Sequence, residues 1–187
     1  METKFISIGD TNVEYPVGEY MRLNKPHMVK LSNAILQTFP NTNLTLWVRG
    51  SSGALLAGVI SALATVDVKV VYVYKEEEHS HNVHDFTNPI KDSKNLIVDD
   101  FTCTFKTIIK ILDYMDDCGV VPDGLCTFGT INGENMCKRG YADKFPVIIC
   151  SKIWWKNRSI TNSGNYNVAL WHSKCVEEIS VSENQTP

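Results

Sequence analysis

With 187 residues, 43% of them hydrophobic, the chain is long enough to bury a proper core as one domain without the staples that short scaffolds need. Its 18 Lys and Arg nearly balance 21 Asp and Glu, and a net charge of -3 excludes a global positive field that would gather nucleic acid or an anionic membrane, so any anion site must be local. No apolar run is long enough to span a bilayer, Met1-Glu2-Thr3-Lys4 lacks an apolar signal core, and the six cysteines show no Cys-x-x-Cys spacing, so the expected setting is cytoplasmic with reduced thiols.

In chain order, residues 1–24 carry the turn chemistry of Tyr15-Pro16-Val17-Gly18, and Met28, Leu31, Ile35, Leu36 and Phe39 then form an apolar helical stripe that ends near Pro40. Leu44-Thr45-Leu46-Trp47-Val48 reads as a strand, Arg49-Gly50-Ser51-Ser52-Gly53 as a tight loop, and 54–64 as a helix of small residues. A β-rich strand over 68–74 follows. Polar residues without any period then separate it from a strand that begins near Asn95, a loop long enough to be functional or mobile. Within it, His79, His81 and His84 with Asp85 have metal-ligand character, but the lack of cysteine and the three neighbouring glutamates favour a solvated loop.

Leu96, Ile97 and Val98 read as a buried central strand that runs into Asp99 and Asp100. Ile108, Ile109, Ile111, Leu112 and Met115 mark the helix after it, which Gly119 stops; Pro122-Asp123-Gly124 turns, and strands follow at 125–128 and Val147-Ile148-Ile149-Cys150. Five strands with helical crossovers imply a single-domain α/β fold with a parallel sheet, whose loops at the strand carboxyl ends meet at a switch point. No internal repeat or linker divides the chain.

Two of those loops carry chemistry. Asp99 and Asp100 can accept hydrogen bonds from two vicinal ribose hydroxyls, while Thr104 and Thr107 donate to phosphate oxygens at the positive end of the following helix. The plainer explanation of the same residues is an N-terminal cap. Successive N–H groups of Arg49-Gly50-Ser51-Ser52-Gly53 form a nest for anionic oxygens, and Arg49 adds a planar charged fork, although a simple strand-to-helix turn also prefers Gly and Ser. Cys103 sits where a helix N-terminus lowers a thiol pKa and makes it reactive.

These residues resemble the type I phosphoribosyltransferases, whose phosphoribosyl pyrophosphate (PRPP) signature is an apolar strand, two acidic residues, three variable residues and Thr-Gly-x-Thr. Only Phe105, in the place of the glycine, departs from it. Phe105 is expected either with a negative φ and its ring turned outward, or with its ring partly filling the phosphate cradle.

The resemblance implies the type I phosphoribosyltransferase fold, with a core over about 27–151 and a small hood from the N- and C-terminal segments, around Gly18-Glu19-Tyr20-Met21-Arg22 and Ile153-Trp154-Trp155-Lys156. It implies transfer of ribose 5-phosphate from PRPP to a nucleobase, orotate-like or purine, with release of pyrophosphate. Asp99 and Asp100 would lie beneath the reacting ribose, with Lys75, His79 and His81 as leaving-group stabilisers on the long loop. Cys103, Thr104, Phe105, Lys106 and Thr107 would hold the 5-phosphate, and Arg49, Gly50, Ser51, Ser52 and Gly53 the pyrophosphate. Trp154 or Trp155 would stack on the base. Mg²⁺ is implied as cofactor, held largely by substrate oxygens and not by the protein alone, and a homodimer is left open. The alternative is a non-catalytic regulatory protein on the same fold that binds PRPP or a nucleotide.

Overall fold

The computed structural model describes residues 3–8, 25–74, 92–102, 105–130, 144–150, 152–156, 168–170 and 176–178. Its elements are β1 (Lys4–Ser7), α1 (Lys25–Thr38), β2 (Leu44–Val48), α2 (Ser51–Leu63), β3 (Val68–Tyr72), β4 (Lys94–Val98), β5 (Phe101–Thr102), α3 (Lys106–Asp117), β6 (Gly124–Cys126), β7 (Gly129–Thr130), β8 (Val147–Cys150), β9 (Lys152–Lys156), β10 (Val168–Leu170) and β11 (Val176–Glu178). The main sheet is parallel throughout, with the order β11-β1-β8-β6-β4-β2-β3.

The five expected strands are all present and contiguous, as β8-β6-β4-β2-β3. Two strands extend the sheet beyond the expected core of 27–151: β1 pairs with β8 on one side and β11 on the other. Gly18 to Arg22, expected in a hood, lie outside the described residues.

Period-two alternation divides the core in two, because successive side chains of a strand point to opposite faces. Leu44, Leu46, Val48, Leu96 and Val98 face the layer of α1 and α2, where Leu31, Ile35, Leu56 and Ile60 meet them. Trp47 and Ile97 face the layer of α3, against Ile108, Ile111 and Met115. Each such side chain, when fully buried, contributes roughly 1.5–3 kcal/mol. Two polar contacts lie inside: the Thr45 and Ser93 hydroxyls are 2.8 Å apart, and Trp47 Nε1 donates to Asn95 Oδ1 at 3.1 Å.

A second sheet begins at the carboxyl edge of the first. Beyond Asp99 and Asp100, beyond Thr127 and Phe128, and beyond residue 151, β4, β6 and β8 are followed by β5, β7 and β9, which pair in parallel in the same lateral order. β10 closes this second sheet antiparallel to β9, giving the order β10-β9-β7-β5. The acidic pair therefore occupies the break between two sheets. Among the described residues, no helix is long and apolar enough to cross a membrane.

Candidate functional site

Asp99 and Asp100 leave the central strand with their backbone held on the β6 side. The Asp99 N–H donates to the Cys126 carbonyl at 3.1 Å, and the Asp100 carbonyl accepts from the Phe128 N–H and the Thr127 hydroxyl, each at 3.0 Å. Thr127 is anchored in turn, its N–H donating to the Ile149 carbonyl at 3.0 Å. The Asp99 carboxylate is buried and its Oδ1 accepts the Asp100 N–H at 2.9 Å, while Asp100 is half-buried. The two side chains thus have separate environments: one buried, one half-buried. Thr127 and Phe128 carried no sequence signal for this role, because their partners lie on the neighbouring strand connection and not nearby in the chain.

Helix α2 begins at Ser51, earlier than the expected 54, so Ser51, Ser52 and Gly53 form its first turn. Gly50 caps it with φ 92°, a left-handed backbone that suits glycine. The first bond of the helix runs from the Ala54 N–H to the Gly50 carbonyl at 3.2 Å, which leaves the N–H groups of residues 51–53 without an intrahelical acceptor. Among the described residues, the half-buried Arg49 side chain makes no hydrogen bond or ion pair. A Cβ added to Gly53 would come within 2.9 Å of the Val98 carbonyl oxygen and 3.2 Å of Val48 Cβ. The loop after β2 is therefore seated directly on the end of β4, one residue before Asp99.

Phe105 is the N-cap of α3 with φ 63° and ψ 1°, and its ring is 2% exposed within the apolar cluster of Trp47, Ile97, Ile108 and Ile111. Both expectations for it are corrected. The backbone takes the positive φ that the family's glycine would take, and the side chain goes into the core, neither turned outward nor free to occupy a ligand site. Burying an aromatic ring offsets the roughly 1–2 kcal/mol that a left-handed L residue costs. The Phe105 carbonyl accepts the Ile109 N–H at 2.9 Å, leaving the N–H groups of 106–108 at the helix start. Lys106 is exposed and Thr107 half-buried. Thr102, on β5, is 2% exposed, and among the described residues its Oγ1 has no hydrogen-bond partner.

Cys103, Thr104, Lys75, His79 and His81 lie outside the described residues. Trp154 and Trp155 are on β9, in register with Leu170 and Ala169 of β10, in the second sheet. His27, near the start of α1, has its ring centroid 6.4 Å from that of Phe128, which puts it near the carboxyl edge. Among the described residues there is no group of three or more His, Cys, Asp or Glu placed to hold a metal ion. Burial pushes the Cys150 thiol up to about 12 and, with Cys150 nearby, pushes Cys126 up further. These two thiols are inert core groups.

No protein-family model matches the chain, and no curated protein matches it in sequence. Solved structures do match. A phosphoribosyltransferase from Corynebacterium diphtheriae is 11% identical with a TM-score of 0.53, covering 67% of this chain and 74% of its own. The adenine phosphoribosyltransferase of Thermoanaerobacter pseudethanolicus is 15% identical with a TM-score of 0.51, over 67% and 79%. That of Trypanosoma brucei, in complex with AMP, pyrophosphate and ribose-5-phosphate, is 14% identical with a TM-score of 0.53, over 79% and 75%. What these likenesses show is a central parallel sheet flanked by helices: the chain has the type I phosphoribosyltransferase fold.

Proposed function

We propose that this protein is a phosphoribosyltransferase, transferring ribose 5-phosphate from PRPP to a nucleobase and releasing pyrophosphate. The observation that carries this reading is the seating of Gly53 on Val98: it brings an arginine-headed anion loop to the strand end from which two carboxylates emerge. In the reaction the bond from the anomeric carbon to pyrophosphate breaks as the bond to a base nitrogen forms, so positive charge grows on the ribose ring and negative charge on the leaving group. Asp99 and Asp100 complement the first charge. Arg49 and the free N–H groups of 51–53 take the second, while those of 106–108 hold the 5-phosphate.

Two adjacent carboxylates would suit an ion that keeps waters and substrate oxygens in its shell, so Mg²⁺ would fit as a partner of PRPP, where it would supply charge neutralisation on the pyrophosphate. Lys75, His79 and His81 are proposed for the leaving group, Trp154 or Trp155 for the base, and the cytoplasm as the setting. The test is a panel of nucleobases, including orotate and the purines, incubated with PRPP and Mg²⁺ while pyrophosphate release is followed. Turnover with one base, lost in the Asp99→Asn/Asp100→Asn double variant, supports the reading; no pyrophosphate from any base overturns it.

A second reading, a non-catalytic PRPP- or nucleotide-binding protein, is favoured by one observation, the phenylalanine at the left-handed corner of the phosphate turn. Calorimetric PRPP binding without pyrophosphate release selects it.

A further inference from the structure

We propose that Phe105 is a positioning residue that locks the phosphate turn: its ring, set in the core under α3, enforces the left-handed corner that a glycine would merely permit. This rests on the phosphoribosyl reading of the turn, but the geometry beneath it is independent of any ligand. A glycine at φ 63° reaches that conformation easily and leaves it as easily, since it has no side chain to hold it. Phe105 reaches it at a cost and is kept there by burial among Trp47, Ile97, Ile108 and Ile111.

The turn is fastened on its other side as well, where Phe101 and Thr102 pair with Gly129 and Thr130. A corner held from both sides aims the N–H groups of 106–108 before any ligand arrives. Preorganised donors bind an anion without the ordering cost that a mobile turn would meet.

Opposite outcomes separate the side-chain lock from glycine-like permissiveness. Ribose 5-phosphate and, separately, pyrophosphate with Mg²⁺ are titrated by calorimetry into the parent, Phe105→Gly and Phe105→Leu. The lock predicts that Phe105→Gly binds ribose 5-phosphate at least tenfold more weakly, with pyrophosphate binding unchanged, and that Phe105→Leu, which keeps an apolar anchor, stays within threefold of the parent. Equal or tighter binding by Phe105→Gly, or a leucine variant as weak as the glycine one, overturns it.

Amide exchange gives a ligand-free readout. The Ile109 N–H bonds to the Phe105 carbonyl, just as the Ala54 N–H bonds to the Gly50 carbonyl at the start of α2. In Phe105→Gly the Ile109 amide should exchange at least tenfold faster relative to Ala54, and an unchanged ratio overturns the lock. Phe105→Ala replaces the glycine variant should that one fail to fold. A parent that binds neither ligand defeats the functional reading alone, and the exchange ratio then still decides for or against the lock.

Discussion

The Gly53 Cα and the Val98 carbonyl pack so closely that a single added methyl group would lie 2.9 Å from the oxygen. This contact ties the first turn of α2 to the end of β4, and with it the distance between the Arg49 loop and the acidic pair. Backbone stands on both sides of it, so neither partner can swing away as a flexible side chain would.

Gly53→Ala is therefore expected to destabilise the fold by about 1–3 kcal/mol through overpacking and to weaken pyrophosphate binding by shifting the helix start. Gly58, on the same helix with nothing within 4 Å of an added Cβ, is the control. Gly58→Ala should stabilise by about 0.4–1 kcal/mol, through helix propensity and a less flexible unfolded chain. Urea denaturation of the two variants measures both, and equal effects at the two positions would show that the close approach does not matter.

Arg49→Ala should weaken pyrophosphate far more than ribose 5-phosphate. The lost charge-assisted contacts are worth roughly 1.5–3 kcal/mol, whereas the turn at 106–108 keeps its own donors. Paired calorimetric titrations decide it; parallel weakening of both ligands would assign the arginine a structural role instead.

Thr102→Val replaces a buried hydroxyl that lacks a partner among the described residues with a methyl group of similar size. Removing an unsatisfied buried oxygen should raise the stability of the ligand-free protein by about 1 kcal/mol. A loss of that size in thermal unfolding would mean that the hydroxyl is bonded in solution.

Alkaline pH should expose the buried thiols. Burial holds Cys150 neutral in the folded chain and raises its pKa to about 12, whereas in the unfolded chain it titrates near 8.5. Its contribution is whole below about pH 8.5 and is lost as pH rises toward 12, because over that window only the unfolded chain gives up the proton, at about 1.4 kcal/mol per pH unit. The stability difference between the parent and Cys150→Ala should accordingly narrow from pH 8 to pH 10. A difference independent of pH would contradict the assigned burial.

The sequence by itself determined the central strands, since Leu44 to Val48 reads as a strand and Leu96 to Val98 as a buried apolar run, and it located Asp99, Asp100 and the Arg49 loop at their carboxyl ends. It also marked Phe105 as the one departure from the family pattern. Only the tertiary structure decided what that departure means, because the ring's destination depends on Trp47 and Ile97, which are distant in the chain. The same holds for β1 and β11 joining the main sheet and for the second sheet of β5, β7 and β9. β1, β5, β7 and β11, of two to four residues, are too short to carry a period, and their hydrogen-bond partners are chosen across the sheet, not along the chain.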